Sequence, residues 1–81
     1  MKNLKNGVAV ITGGGSGLGK ALAHAAVSRG MKVVLADVQA KALEQTLEEL
    51  RALGAEAIGE VLDVTDATAV EALAERAETH F

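Results

Sequence analysis

The chain contains no cysteine, no proline, no tyrosine and no tryptophan. Without cysteine there is no disulfide, no thiolate metal site and no cysteine nucleophile. Phe81 is the single aromatic residue, so a core has to be assembled from closely packed Val, Leu, Ile and Ala. Basic residues are few and scattered. Eight of them face eleven acidic ones, for a net charge of −3, which argues against a nucleic-acid partner. No apolar run approaches the roughly 20 residues of a membrane span. Met1 to Asn6 lacks the apolar centre and small-residue cleavage site of a signal peptide. A cytoplasmic protein is expected, with no membrane contact. His24 and His80 stand apart from each other and from any carboxylate at metal-ligand spacing. Both are expected as surface residues, and no metal site is expected. Eighty-one residues suffice for one small domain, burying only about 60% of the surface its unfolded chain exposes.

What the chain does have is concentrated between Val8 and Ala21, V-A-V-I-T-G-G-G-S-G-L-G-K-A. Val8 to Ile11 is apolar without alternation and half β-branched, the pattern of a strand buried on both faces. Gly13, Gly14, Gly15, Gly17 and Gly19 follow within seven residues, and helical spacing begins at once. A strand, a glycine turn and a helix start form an anion site, because unpaired N–H groups and the helix dipole both face the turn. A phosphate or pyrophosphate is the natural occupant. A turn alone needs one or two glycines, not five.

The rest of the chain alternates strands and helices. The first strand is predicted from Gly7 to Thr12, after a polar lead-in over Met1 to Asn6. The first helix runs from about Gly17 to Arg29, with Leu18, Ala21, Leu22, Ala25 and Ala26 as its apolar stripe and Gly30 as its stop. Lys32 to Ala36 is the second strand, ending at Asp37. The second helix spans Ala40 to Leu53, striped by Leu43, Leu47 and Leu50 and closed by Gly54. The third strand lies within Ala55 to Leu62, where Gly59 marks a bulge or a close contact. Thr65 or Asp66 caps a third helix whose stripe is Val70, Leu73, Ala74, Ala77 and Phe81. This β-α-β-α-β-α order is half of a doubly wound, Rossmann-type α/β fold, a parallel sheet ordered 3-2-1 and flanked by helices. With no fourth strand in the sequence, the edge of the first strand is expected to be bare, open to pairing with a second copy.

The glycine spacing separates the candidate nucleotide sites. G-x-G-x-x-G fits in no register. Gly14 to Lys20 reads G-x-x-x-x-G-K, but Ala21 stands where a P-loop needs Ser or Thr for magnesium. An adenosyl-cofactor methyltransferase also uses a glycine turn followed by an acidic strand end. What does fit is T-G-x-x-x-G-x-G, on Thr12, Gly13, Gly17 and Gly19. On this motif the chain resembles the short-chain dehydrogenase/reductase family over essentially its whole length, aligned with the N-terminal part of that family's domain.

Asp37, eighteen residues after Gly19, is near the spacing at which an acid accepts hydrogen bonds from the adenosine ribose of a dinucleotide. A carboxylate there repels a 2′-phosphate, which favours NAD over NADP. The resemblance agrees, since NADP binders of the family often carry a basic residue where Ser16 or Val38 stands. It also implies that Asp63 accepts from the adenine amino group and that Val64 touches the ring through its backbone. Gly13, Gly17 and Gly19 shape the pyrophosphate turn, Ser16 is placed to donate to a phosphate or ribose oxygen, and Leu18 to offer its N–H. Thr12 is expected to tie the turn through its hydroxyl, and Lys20 to be a solvated surface residue. The competing readings make Asp37 a strand-end turn residue and Asp63 part of a capping turn.

The family's chemistry, an alcohol interconverted with a carbonyl, depends on a Tyr-x-x-x-Lys pair assisted by Ser and often Asn. This chain has no tyrosine, so no catalytic residue is expected in it. The expectation is the N-terminal, NAD-binding segment (residues 1–81) of one dinucleotide-binding domain whose catalytic C-terminal half lies elsewhere. The alternative is a stand-alone nucleotide-binding or self-associating module.

Overall fold

The computed structural model describes residues 2–4, 7–15, 17–63 and 65–81. Seven elements follow in chain order: β1 (Lys2–Leu4), β2 (Val8–Thr12), α1 (Gly17–Ser28), β3 (Lys32–Asp37), α2 (Ala40–Ala52), β4 (Ala57–Val61) and α3 (Ala67–His80). They build one sheet in the order β1-β2-β3-β4. β2, β3 and β4 are mutually parallel, with Val8 opposite Lys32 and Val33 opposite Ala57. Helical crossovers impose that arrangement. The expected 3-2-1 sheet is therefore present as β4-β3-β2.

The strands read as continuous apolar runs because both faces of the sheet are covered. Successive side chains point to opposite faces. Ala9, Ile11, Val33, Leu35 and Ala57 pack with Ala23 and Ala26 of α1 and Leu43, Leu47 and Leu50 of α2. The alternate set, Val8, Val10, Val34 and Ala36, packs with Leu73 and Ala77 of α3, and Ile58 and Phe81 close its margin. Gly59 continues the parallel register opposite Leu35, so it is no bulge. It makes room instead, since a Cβ there would stand 2.7 Å from Leu47 Cδ1.

Two expectations fail. The first concerns the lead-in and the bare edge. Lys2 to Leu4 is a strand, antiparallel to β2, with Lys2 opposite Val10 and Leu4 opposite Val8. It covers the edge of β2 that was expected to be open for a second copy. Three residues carry no periodicity, so only the pairing itself defines this strand. The second concerns the stripe of α1. Ala23 and Ala26 are its buried residues, while Leu18, Ala21 and Ala25 are exposed. In a helix this rich in alanine the apolar pattern has little contrast, and its phase was read about one residue out.

Polar contacts fix the helix ends. Asp66 caps α3 by accepting the N–H groups of Thr68 and Ala69 at 3.0 and 3.2 Å, a device worth about 1 kcal/mol. Arg51, in the last turn of α2, donates through Nε and Nη2 to the Ala57 carbonyl at 3.0 and 2.8 Å, which ties the end of α2 to the start of β4. Lys20 and His24 are not isolated. Lys20 Nζ lies 2.8 Å from Glu49 Oε2, and His24 Nε2 lies 3.1 Å from Glu49 Oε1, so one carboxylate of α2 bridges two residues of α1.

Hydrogen bonds from Lys20 and then His24 hold Glu49 below the usual carboxylate range. A carboxylate whose folded pKa is depressed contributes stability above its unfolded pKa of about 4.3 and loses it as pH falls through the folded value. The effect is small, because all three groups meet solvent. The melting-temperature gap between the native chain and Glu49→Gln should therefore be widest near neutrality and close as pH falls below about 4. A gap that stays constant down to acid pH in calorimetry would remove Glu49 as its cause.

Candidate functional site

The parallel strands end along one edge of the sheet, and each delivers a polar residue or a turn there. The turn after β2 is folded by the neighbouring strand. Gly13 and Gly14 donate their N–H groups to the Ala36 carbonyl of β3 at 2.7 and 3.2 Å. This carbonyl ties the turn to β3, and Thr12, whose hydroxyl was expected to help, is exposed. Asp37, the last residue of β3, reaches back to the same turn. Its Oδ2 accepts the Gly15 N–H at 2.8 Å, and its Oδ1 accepts the Gln39 N–H at 3.0 Å. A carboxylate offers about four lone-pair sites, and donors among the described residues use two of them.

The turn is crowded at three points, and at Gly14 a Cβ would stand 2.9 Å from Leu35 Cδ2. A Cβ on Gly15 would stand 2.8 Å from Asp37 Oδ2 and 2.9 Å from Ala42 Cβ, and one on Gly19 would overlap the carbonyl of Gly13. The backbone of α1 thus comes down onto the strand end. The N–H groups of Gly17, Leu18 and Gly19, in the first turn of α1, have no intrahelical partner, and the positive end of the helix dipole adds to them. Leu18 is 76% exposed, which suits a residue that offers only its backbone.

Asp63 follows β4 by two residues. Its Oδ1 accepts the Thr65 hydroxyl at 2.7 Å and the Thr65 N–H at 2.9 Å. Those two hydrogen bonds keep its carboxyl below the ordinary range. The capping-turn role is therefore real, and among the described residues it runs through Oδ1. Ser16 and Val64, also expected at the site, lie outside the described residues. Val38, at the rim, is exposed.

One residue at the site went unread in the sequence. Thr46 of α2 is completely buried, and its hydroxyl lies 3.2 Å from both the Gly15 carbonyl and the Ala42 carbonyl. The signal was a polar residue in phase with Leu43, Leu47 and Leu50. A separate cleft of about 340 Å³ lies on the α3 side of the sheet, lined by Val34, Ile58, Leu73 and Arg76 among others. Glu60 and Arg76 form an ion pair there, away from the turn that packs with α1 and α2.

The strand-end arrangement is suited to binding. It sets peptide N–H groups for an anion beside carboxylates for hydroxyl or amino donors. The missing Cβ at Gly19 lets α1 sit directly on the Gly13 carbonyl, the close helix–strand packing that a dinucleotide-binding turn uses. Among the described residues no cluster could hold a metal ion, and no helix is long and apolar enough to cross a membrane.

Known proteins share the sequence pattern and the fold. The C alpha-dehydrogenase of Sphingobium sp. strain SYK-6 is 43% identical over all 81 residues, which make up 27% of its length. The crystal structure of a short-chain dehydrogenase/reductase from Burkholderia phymatum in complex with NAD superposes with a TM-score of 0.83 at 52% identity, over 95% of this chain and 27% of that one. An alcohol dehydrogenase from the archaeon Thermococcus sibiricus, complexed with 5-hydroxy-NADP, gives 0.79 at 35% identity, over 91% of this chain and 32% of that one. The chain therefore spans under a third of the length of these proteins. The family model described as short chain dehydrogenase matches residues 7–81, and the chain belongs to that family.

Proposed function

We propose that this chain is the N-terminal, NAD-binding segment of an oxidoreductase that interconverts an alcohol and a carbonyl. The observation that carries the reading is the Asp37 carboxylate set 2.8 Å from the Gly15 N–H, beside the glycine turn. In this reading the N–H groups of Gly17, Leu18 and Gly19 take the pyrophosphate, and Gly13 shapes the turn. Asp37 accepts from the ribose hydroxyls, and Asp63 accepts from the adenine amino group through Oδ2. Ser16 and Val64 add a hydroxyl donor and a backbone contact. When bound, NAD supplies the acceptor or donor of hydride. The residues of this chain bind and orient, and none of them is assigned a catalytic role.

The preference for NAD over NADP rests on charge. Asp37 would face a 2′-phosphate with a like charge, and neither Ser16 nor Val38 offers a compensating cation. The reading includes a cytoplasmic location, where nicotinamide dinucleotides are at hand. The test is a titration of the full-length protein with NAD and NADP, together with NAD-dependent oxidation of a panel of secondary alcohols. Tighter NAD binding with turnover of an alcohol is the expected result. No binding of either dinucleotide, or a preference for NADP, would overturn it.

A further inference from the structure

Gly15 is held from two sides. Its N–H donates to Asp37 at the end of β3, and its carbonyl lies 3.2 Å from the Thr46 hydroxyl in the middle of α2. Its own missing side chain is what lets Asp37, Ala42 and the Leu43 backbone approach so closely. Thr46 is the single buried polar side chain among the described residues. A hydroxyl carries one proton, which it divides here between Gly15 and Ala42, both at 3.2 Å. The Ala42 contact is the ordinary back-bond of a helical threonine to the carbonyl four residues earlier. The Gly15 contact spans 31 positions of the chain and serves no helix.

We propose that Thr46 is a positioning residue of the dinucleotide site, fixing the Gly15 carbonyl from α2 so that Asp37 and the first turn of α1 keep the geometry that receives the cofactor. The proposal rests on the reading of the strand-end site as an NAD site. It makes α2 part of that site, although no residue of α2 faces the ligand in it. The physical reason is leverage. The peptides from Gly13 to Gly15 bond to Ala36, Asp37 and Thr46, and glycine has no side chain to hold itself in place. The N–H and the carbonyl of Gly15 lie in successive peptide planes joined at its Cα, so removing the tie from α2 frees the second plane beside the one that Asp37 holds. A shift of that plane loosens the Gly15 hydrogen bond to Asp37 and, in this reading, the carboxylate that receives the ribose.

The test uses Thr46→Val, which keeps the shape and removes the hydroxyl, and Thr46→Ser, which keeps the hydroxyl. Each is made in the full-length protein. Dissociation constants for NAD are measured by calorimetry well below the melting temperature, alongside the melting temperature itself. Thr46→Val should weaken NAD binding by about tenfold, the size of one hydrogen bond's free energy, and Thr46→Ser should stay within about twofold of the native value. A purely structural threonine gives a different pattern: Thr46→Val melts lower but binds NAD with the native constant, and that result overturns the proposal. If Thr46→Val does not fold, Thr46→Cys, a far weaker donor in nearly the same space, replaces it with the same two outcomes. Failure of the native protein to bind NAD is a separate result, and it overturns the underlying reading of the site.

Discussion

Gly19→Ala should be the most damaging single methyl that can be added to this chain. The new Cβ would fall on the Gly13 carbonyl, and a backbone carbonyl held at a strand end has no rotamer by which to move aside. α1 must lift from the end of β2 instead. Overpacking of this kind costs about 1–3 kcal/mol, and a clash against main chain belongs at the upper end. The lift also carries the N–H groups of Gly17 and Leu18 away from the anion they are proposed to hold. Each hydrogen bond to a charged group is worth about 1.5–3 kcal/mol, so NAD affinity should fall by roughly 10- to 100-fold. Gly17→Ala is the control. Its Cβ would meet nothing within 4 Å, and its penalty comes only from a φ of +60°, about 1–2 kcal/mol. Melting temperature and NAD titration of both variants decide the matter. A Gly19→Ala protein with native values in both would show that α1 does not need its close seat.

Asp37→Ala should change which dinucleotide is preferred. The carboxylate accepts from Gly15 and Gln39 and is proposed to accept from the ribose as well. Hydrogen bonds to a charged group are worth about 1.5–3 kcal/mol, so NAD should weaken by roughly 10- to 100-fold. NADP should lose less, or gain, because the repulsion of its 2′-phosphate disappears with the charge. Asp37→Asn separates the two effects. It keeps an acceptor in nearly the same place and removes only the charge, so the preference should shift while the loss for NAD is smaller. The quantity to follow is the ratio of the NAD and NADP dissociation constants. A ratio unchanged in both variants would remove Asp37 from cofactor selection.

Most of the architecture was legible because each element had its own chemical signal. The apolar runs at Val8, Lys32 and Ala57 and the leucine stripe of α2 have strong contrast, and Asp37 sat at the right distance from the glycine motif. What could not be read depends on long-range contact. Gly15 is outside the motif glycines, yet its Cβ position is filled by residues 22 to 28 positions away, Asp37, Ala42 and Leu43. Thr46 reads as a helix residue until the fold lays it under the turn. Glu49 looks like any solvated acid until α1 brings Lys20 and His24 to it.

β1 has a consequence for how the chain behaves in company. β2 is buried and apolar from Val8 to Ile11, and a strand of that kind left open is a template on which other chains can stack into fibrils. With β1 in place, the outermost backbone of this chain on that side belongs to three residues, Lys2, Asn3 and Leu4. Three residues offer too short a row of donors and acceptors to start a ladder. A lead-in with no visible pattern of its own thus occupies the backbone of Val8 to Val10, the groups on which a neighbouring chain would otherwise pair.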